Sequence, residues 1–349
     1  MRTIYLIRHG KPLFPGGKRF CLSSTDLPLS SIGSLQAALA AEILPAFPEG
    51  NLFSSPLLRA RDTAAFFGKV QTNTSLRELG MGDWEGLPFS EIRALYPELY
   101  EKRGLNPFAI FPPNGEAPTA CRRRTMTALD SLLKSTEGDI AVVSHAGALR
   151  LLLCGLNLCP PENFLSVPQP YGGITKLSLA RGVITAEEIG IVPHPSLTPA
   201  FCEKLLLAAK TPEKVIRHAK AVSRQAVRLS EGLAVDHNLL ICAALLHDIA
   251  RTEPEHDITG ARWIEEIGYP EAAALIRTHM DLQAESPSIE AMLLFLADKT
   301  VLNETPVTLA VRFAASEEKC GTEAALAAHK LRYEKAVSVY SSLFGGKHA

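Results

Sequence analysis

The stretch Thr3-Ile-Tyr-Leu-Ile-Arg-His-Gly10 decides the fold class, because it is an apolar, β-rich run that ends in an arginine, a histidine and a glycine. This composition predicts a buried strand with its chemistry at the carboxyl end. In open α/β sheets, ligands bind at that end of the strands. We therefore expect Arg8 and His9 to face a crevice, and Gly10 to allow a sharp turn of the chain.

A second stretch repeats this design. Asp139-Ile-Ala-Val-Val-Ser-His-Ala-Gly147 is another apolar run that ends in a histidine and a nearby glycine. If the two strands are parallel neighbours, His9 and His145 meet at one edge of the sheet. Strand-like and helix-like segments alternate from Met1 to about Gly190. This alternation predicts an α/β domain, with a mostly parallel sheet and helices on both faces.

Local signals within this half predict where several side chains lie. Ser55-Pro56 has the pattern of a helix N-cap and first helical position, which would place Arg59 in the first turn of that helix. A cation is disfavoured there unless an anion is bound. We expect Arg61 and the run Arg122-Arg-Arg124 on solvated helix faces, and Trp84 in packing.

Length and composition indicate an ordinary globular protein. The chain has 349 residues, 46% of them hydrophobic and 21% charged, and a formal net charge of -1. One core rarely holds so many residues, so two domains are expected. The charge gives no overall attraction to nucleic acid or to an anionic membrane. Membrane-spanning runs and the pattern of a signal peptide are missing, and seven cysteines without a C-x-x-C pair favour a reducing cytoplasm.

The proline-rich segment that ends at Pro199 predicts a linker. We therefore expect domains at residues 1–192 and 201–349, joined by a linker at 193–200. Beyond the linker the strand signal disappears, so the second domain is expected to be all-α. Its first helix is predicted to begin after Thr211-Pro-Glu.

The first domain carries residues for an anion site and for nucleophilic chemistry. Arg8 and Arg59 are suited to charge-assisted hydrogen bonds with phosphate oxygens, and the helix after His145 offers backbone N–H groups to the same anion. A neutral imidazole is a competent nucleophile toward phosphorus, so one histidine is a candidate for a phosphohistidine intermediate. Glu78 is a candidate general acid for the leaving alcohol.

Five motifs follow one another in this half. They are Arg8-His9-Gly10, Ser54-Ser-Pro-Leu-Leu-Arg-Ala60, Leu76-Arg-Glu with Gly82-Asp-Trp-Glu-Gly86, Gly115-Glu116, and Ser144-His-Ala-Gly147. As a set they resemble the histidine phosphatase superfamily, and within it the α-ribazole phosphatase and phosphoglycerate mutase-like branch. The resemblance implies a metal-free reaction in which the nucleophile is His9, the phosphate clamps are Arg8 and Arg59, the transition-state stabiliser is His145 and the proton donor is Glu78.

Two positions depart from the pattern of that family. Pro12 and Pro15 stand where the family commonly has a Ser or Thr and an Asn. Neither proline can donate a hydrogen bond. The resemblance therefore implies a phosphate pocket that is altered on this side, which argues against mutase activity.

Polar residues follow two apolar helices in the second domain. His247-Asp248 and Asp298 each come directly after an apolar run, and His218 lies beside the apolar stripe of an earlier helix. Burying a carboxylate is costly unless it is paired or binds a metal. We infer a shared divalent cation. Imidazole and carboxylate ligands suit Mn, Fe, Co, Ni or Zn, and Mg is accommodated through the aspartates and waters.

This pattern resembles the HD-domain metal-dependent phosphohydrolases over residues 211–302. The resemblance implies one or two metal ions bound by His218, His247, Asp248 and Asp298, with further ligands at His256 and His279. It also implies that a metal-activated water attacks a nucleotide-like phosphoester or phosphoanhydride.

Other polar residues of the second domain are expected to be peripheral. Lys299 is a candidate for binding a phosphate oxygen, although we expect it to face solvent. We also expect the site to lack an arginine set comparable to that of the first domain. Charge neutralisation would then depend on the cation. Four further histidines are expected to be structural or on the surface, namely His194, His237, His329 and His348.

Three function classes follow. The leading one is an enzyme with two phosphohydrolase sites, one for a small phosphorylated metabolite and one for a nucleotide-like compound. In the second, the HD domain binds a nucleotide and regulates the phosphatase without turnover. The third, a phosphate-metabolite binding protein, is disfavoured because both catalytic sets are complete at their central positions. None of the three uses nucleic acid or a membrane as a partner.

Overall fold

The computed structural model describes residues 1–282, 286–318 and 320–345, so His348 lies outside the described residues. The chain divides into two compact units, Met1–Pro195 and Ser196–Ala349. The first is α/β and the second is mainly helical, which confirms the expected fold class. Among the described residues, no helix is both long enough and apolar enough to cross a bilayer.

A six-stranded sheet forms the centre of the first unit. Its strands are β1 (Arg2–Arg8), β2 (Leu52–Ser54), β3 (Gln71–Thr72), β4 (Ile140–Ser144), β5 (Ile174–Ala180) and β6 (Val183–Ile191). Their order in the sheet is β3-β2-β4-β1-β5-β6. Strands β3, β2, β4 and β1 pair in parallel with their neighbours. Strand β5 pairs antiparallel with both β1 and β6. The carboxyl ends of β1, β2 and β4 therefore meet at one edge.

The helices of the first unit are α1 (Ser31–Ile43), α2 (Leu58–Ala64), α3 (Phe89–Leu95), α4 (Pro97–Leu105), α5 (Pro118–Ser135) and α6 (Ala146–Gly155). The predicted start of α2 at Ser55-Pro56 is wrong, because the helix begins at Leu58. Ser55 Oγ instead lies 2.8 Å from His145 Nε2, so this hydroxyl contacts an imidazole and caps no helix. Arg59 still lies in the first turn of α2.

Two apolar cores cover opposite faces of the sheet. Ile4 and Leu6 of β1 pack with apolar side chains of α5 and α6, while Ile7 packs with those of α1 and α2. Successive residues of a strand point to opposite faces. A continuous apolar run such as β1 is therefore stable only with helices on both sides, which leaves the strand ends as the accessible edge.

The second unit contains α7 (Pro199–Ala208), α8 (Glu213–Leu229), α9 (His237–Leu246), α10 (His256–Glu266), α11 (Pro270–Thr278), α12 (Ile289–Lys299), β7 (Val301–Leu302), β8 (Thr305–Pro306), α13 (Leu309–Glu317) and α14 (Glu323–Phe344). The sequence did not predict α7, α13 or the β7–β8 hairpin. Helix α7 begins within the expected linker, because Pro199 occupies a first-turn position and the Thr198 hydroxyl accepts a hydrogen bond from the Phe201 N–H at 3.2 Å.

Gly10 is required for close packing and not for a turn with positive φ. It is absent from the glycines that adopt a positive φ among the described residues. A Cβ at Gly10 would lie 2.2 Å from the carbonyl oxygen of Gly33, and a Cβ at Gly33 would lie 2.2 Å from that of Lys11. The start of α1 therefore lies directly against the segment that carries His9.

We expect Gly10→Ala to lower the free energy of unfolding by about 1–3 kcal/mol, because backbone must move to admit the methyl group. Gly104→Ala is the matched control, since a Cβ there meets nothing within 4 Å. Urea unfolding of the full chain followed by circular dichroism measures both. Equal stability of the two variants would show that the Gly10 contact tolerates a side chain.

Candidate active site and candidate metal centre

The first candidate site lies where β1 and β4 end. The two strands pair with Arg8 opposite Ser144, so His9 and His145 follow at the same level. Their ring centroids are 4.9 Å apart, and both side chains are buried. The two imidazoles therefore lie side by side, as the repeated strand pattern predicts.

The ring of His9 is held in one tautomer. Its Nδ1 lies 2.7 Å from the carbonyl oxygen of Gly10. Since a carbonyl only accepts, the proton is on Nδ1 and the lone pair is on Nε2. Burial, together with the nearby charges of Arg8 and Arg59, holds the pKa of His9 well below its usual range. The residue is thus a neutral imidazole with an available Nε2.

His145 is also a buried, neutral imidazole. Burial lowers the pKa of His145, and the neighbouring His9 and Arg59 lower it further. Its Nε2 hydrogen-bonds to Ser55, whereas its buried Nδ1 has no hydrogen-bond partner among the described residues. One ring nitrogen of His145 therefore remains available at the site.

Arg8 is held by residues that the sequence analysis missed. Its Nη1 donates to the carbonyl oxygen of Gln169 at 2.5 Å, and its guanidinium carbon lies 3.8 Å from the centroid of the Tyr171 ring. The Nε of Arg8 is buried and has no partner among the described residues. Nothing in the sequence distinguishes Tyr171 from an ordinary loop aromatic.

Arg59 is oriented by the segment that follows Cys21. The guanidinium donates to the carbonyl oxygens of Ser23 and Thr25, at 2.8 Å each. Glu85 accepts hydrogen bonds from the backbone N–H and the hydroxyl group of both residues. Burial alone would raise the pKa of Glu85, but these bonds hold it below its usual range. Glu85 of the Gly82–Gly86 motif therefore fixes the Ser23–Thr25 segment, and the carbonyl oxygens of that segment orient Arg59.

The Glu78 carboxylate lies at the N-terminus of α6. It accepts hydrogen bonds from the backbone N–H groups of Gly147 and Ala148, at 3.1 and 2.9 Å, and from that of Leu79 at 2.8 Å. We expected this helix end to face a phosphate. In this arrangement a carboxylate takes that place, because the same partial positive charge attracts either anion.

Arg124 corrects the expectation of a solvated helix face. It forms an ion pair with Glu116 at 2.7 Å and donates to the carbonyl oxygens of Ser75, Arg77 and Glu78. The chain segment that carries Glu78 is therefore fixed by one guanidinium. The Gly115-Glu116 motif was the sequence signal for this partner.

A cavity of about 200 Å³ opens beside these residues. Of the predicted site residues, Arg8, His9 and Glu78 line it, whereas Arg59, His145, Pro12 and Pro15 are not among its described lining residues. The lining contains three further cations that were not predicted from the sequence, namely Arg19, Arg103 and Arg150. The cavity is therefore small and positively charged.

The second unit brings five of the six predicted ligands together. The ligand atoms of His218, His247 and Asp298 lie within 4.8 Å of one another, and so do those of His247, Asp248 and His279. These residues come from four different helices, namely the ends of α9, α11 and α12 and the body of α8. His247 belongs to both groups and connects them.

Three histidines of the cluster are oriented by backbone carbonyls. The Nδ1 atoms of His218, His247 and His279 lie 2.7, 2.8 and 2.7 Å from the carbonyl oxygens of Asn303, Ala244 and Ile276. Each Nδ1 proton therefore bonds a carbonyl oxygen, which leaves each Nε2 to face the cluster, as in metal-ligating histidines. His218 Nε2 lies 3.2 Å from Asp298 Oδ1. Burial lowers the pKa of His279 to about 4.

The cluster fits a divalent cation. His247 Nε2 and Asp248 Oδ1 are buried and have no hydrogen-bond partner among the described residues. Buried polar atoms without a partner are rare and costly in folded proteins. Imidazoles combined with two carboxylates form the donor set that divalent transition metals prefer.

His256 is adjacent to the cluster but outside both groups. Its Nε2 lies 2.8 Å from Arg251 Nη1 and 3.2 Å from Asp248 Oδ1. Because an arginine only donates, His256 Nε2 accepts this bond and its lone pair is already used. In this arrangement His256 is a neighbour of the Asp248 carboxylate, and its Nε2 is bonded to Arg251.

Lys299 does not face solvent, so that expectation is wrong. The side chain is buried, and its Nζ lies 2.6 Å from Asp298 Oδ2. Burial would raise the pKa of Asp298, but the ammonium group of Lys299 and the bond from His218 hold it well below its usual range. Asp298 is therefore ionised.

A cavity of about 740 Å³ adjoins this cluster. The expectation that the second site lacks a set of arginines is wrong, because the lining contains the cations Lys214, Arg217, Arg251, Lys299, Arg312 and Arg332. They come from elements that are distant in sequence, so the linear pattern does not show their proximity.

Comparison with known families gives one match in each of the two units. The family described as "Histidine phosphatase superfamily (branch 1)" matches residues 4–191, and the family described as "HD domain" matches residues 215–302. A Yersinia enterocolitica protein with the name "Probable phosphoglycerate mutase GpmB" is 33% identical over 173 residues, which are 46% of this chain and 78% of that protein. A glucosyl-3-phosphoglycerate phosphatase of Mycolicibacterium vanbaalenii is 28% identical over 178 residues, 47% of this chain and 78% of the relative.

Solved structures resemble the first unit. Bacillus stearothermophilus YhfR has 26% sequence identity and a TM-score of 0.50, over 54% of this chain and 96% of that chain. A mycobacterial glucosyl-3-phosphoglycerate phosphatase in complex with inorganic phosphate has 25% identity and a TM-score of 0.50, over 56% of this chain and 100% of that chain. Since the first family match spans more than half of the chain, this protein belongs to the histidine phosphatase superfamily, carries an HD domain in its second half, and is a hydrolase of phosphoric ester bonds.

Proposed function

We propose that the protein has two phosphohydrolase sites. The first is a metal-independent phosphomonoesterase that acts on a small phosphorylated metabolite through a phosphohistidine on His9. The second is a metal-dependent site that hydrolyses a nucleotide-like phosphoester or phosphoanhydride. The observation that carries the first assignment is the neutral His9 ring on the wall of a positively charged cavity, with its proton on Nδ1.

In the first site, His9 Nε2 attacks phosphorus and the P–O bond to the alcohol breaks. The alcohol leaves with the bonding electrons and takes a proton from Glu78, which enters this step in its protonated form. Water then attacks the phosphohistidine, the P–N bond breaks, and Glu78 receives a proton from the water. Arg8 and Arg59 neutralise the charge that develops on the phosphoryl oxygens, with His145 beside them.

The size and charge of the first cavity support a small anionic substrate. Its volume of about 200 Å³ is below the range of about 300–1,000 Å³ that is usual for pockets of larger organic ligands. The names of two relatives both contain phosphoglycerate, which is a small phosphorylated acid. We propose a metabolite of this size class as substrate.

In the second site, the residues proposed to hold one or two divalent cations are His218, His247, Asp248, His279 and Asp298, with His256 as a further candidate. A cation there would supply Lewis acidity and an activated water. The chain itself orients the three imidazole rings through backbone carbonyls and keeps Asp298 ionised through Lys299. Arg251, 3.6 Å from Asp248, adds positive charge for a phosphoryl group.

We expect both imidazoles of the first site to remain neutral at pH 6, although a free histidine is largely protonated there, with a pKa of about 6.5. The lowered pKa values of His9 and His145 shift protonation to lower pH. Ring-nitrogen NMR of the ¹⁵N-histidine-labelled chain measures this, with His9→Asn and His145→Asn assigning the signals. A midpoint near 6.5 for either ring would contradict the neutral-nucleophile mechanism.

Arg59→Ala should lower kcat/KM of the phosphatase reaction by an amount that corresponds to a loss of about 2–4 kcal/mol of transition-state stabilisation. The substitution removes a cation from the developing phosphoryl charge, and it also removes the donor to the Ser23 and Thr25 carbonyl oxygens. Arg61→Ala is the matched control, since Arg61 lies two residues further along α2 and is exposed. Vanadate inhibition should weaken in parallel for Arg59→Ala alone. Similar losses in both variants would place Arg59 outside the reaction.

The two activities should separate within the full chain. We expect His9→Ala to abolish metal-independent phosphomonoesterase activity and to leave hydrolysis by the metal-loaded second site unchanged. Conversely, a chelator or Asp248→Asn should abolish only the second activity, because removing one ligand leaves its buried neighbours unpaired. Turnover of chromogenic monoesters and of nucleotides, with metal analysis of each variant, measures both.

The regulatory alternative predicts another result. If the HD domain only binds a nucleotide, no metal-dependent turnover appears, and added nucleotide changes phosphatase kcat or KM in the wild type but not in Asp248→Asn. Chelator sensitivity of the phosphatase activity without any nucleotide would contradict the proposed division between the two sites.

A further inference from the structure

The cavity of the second unit extends beyond the part of the chain that matches the HD family. That match ends at residue 302. The cavity lining continues past it through the β7–β8 turn, α13 and α14, with Asn303, Glu304, Arg312, Phe313, Ser316, His329 and Arg332. One side of the cavity therefore holds the metal-ligand cluster, and another side, here called the C-terminal wall, is built by residues 303–332.

Two arginines of the C-terminal wall are anchored by one nitrogen each. Arg312 Nε donates to the Val301 carbonyl oxygen at 3.0 Å, and Arg332 Nε pairs with Asp281 Oδ1 at 2.9 Å. Within residues 1–282, 286–318 and 320–345, the terminal nitrogens of Arg312 and Arg332 form no hydrogen bond. A guanidinium fixed in this way offers a planar pair of donors, which matches phosphate or carboxylate.

Acidic groups of the lining are already paired. Glu304 forms an ion pair with Arg217 at 2.8 Å, and Asp298 pairs with Lys299 and His218. Asp248 belongs to the metal-ligand cluster. Arg312 has no carboxylate partner among the described residues, so the C-terminal wall presents uncompensated positive charge to the cavity.

The space between the metal-ligand cluster and the C-terminal wall is large enough for a small organic molecule. The cavity volume of about 740 Å³ falls within the range of about 300–1,000 Å³ for pockets that hold small organic ligands. Phe313 and His329 pack edge to face with ring centroids 5.1 Å apart, and His329 Nε2 is 2.8 Å from Ser316 Oγ. The C-terminal wall therefore includes two aromatic rings that hold one another in place.

We propose that the second cavity selects phosphorylated ligands with two separate anionic groups. One group is the reacting phosphoryl group at the metal-ligand cluster, and the other binds Arg312 and Arg332 of the C-terminal wall. Compounds with a single phosphate lose the second contact. This inference rests on the proposed function of the second site and adds its substrate class.

The test compares two probes that differ by one phosphate, adenosine 5′-monophosphate and adenosine 3′,5′-bisphosphate. Calorimetric titrations use the full-length His9→Ala chain, with chelator and again with Mn²⁺. Arg312→Gln, Arg332→Gln and the double variant are compared with Lys330→Gln, which removes one positive charge from an exposed position of α14 outside the cavity lining. Circular dichroism and thermal unfolding verify that each variant is folded.

We expect the bisphosphate to bind at least about tenfold more tightly than the monophosphate, as charge-assisted hydrogen bonds allow. The double variant should lose this preference and keep its affinity for the monophosphate, while Lys330→Gln behaves like the parent. Equal affinity for both probes in the parent, or a preference that survives the double substitution, would overturn the inference. Failure of the proposed function looks different: no metal-dependent turnover of any nucleotide, whatever the C-terminal wall binds.

Discussion

The parallel pairing of β1 with β4 is the interaction on which the first site depends. The His9 N–H donates to the Ser144 carbonyl oxygen at 3.0 Å. The hydrogen bonds between the two strands therefore extend to His9 itself. The Ser144 hydroxyl donates to the Leu76 carbonyl oxygen at 2.7 Å and so connects this edge to the segment of Glu78. A one-residue change of register would turn these side chains to the opposite face of the sheet. The site is therefore a property of strand pairing.

Around this edge, charged side chains are buried and are satisfied largely by backbone carbonyls. Arg8, Arg59 and Arg124 all donate to main-chain oxygens of loop segments. Carbonyl groups carry no net charge, so Arg8 and Arg59 keep their full positive charge toward an anion, whereas Arg124 is paired with Glu116. The loops gain order from the arginines, and the arginines gain fixed orientations from the loops. Substituting one of these residues therefore affects both charge and shape.

Much of this architecture could be predicted from the sequence, because apolar periodicity and strand-end motifs are local. The pattern of β1 and β4 predicted two neighbouring imidazoles, and the apolar runs before His247 and Asp298 predicted a buried His/Asp cluster. Contacts between distant segments were not predictable. Ser55 looks like a helix cap in isolation, but its hydroxyl contacts His145, and Arg124 looks solvated until Glu116 is beside it. The arginines of the second cavity were not predictable for the same reason, because they come from elements that are distant in sequence.

The main chain of α9 and α11 adds negative charge to the metal-ligand cluster, beyond that of the side chains. His247 and His279 are the residues that end α9 and α11, and each ring donates to a carbonyl of its own last helical turn. The carboxyl end of a helix carries about half a negative charge from its aligned peptide dipoles. Two such ends converge beside Asp248 and Asp298. Attraction for positive charge is therefore partly a property of the main chain, and it persists when an individual carboxylate is neutralised.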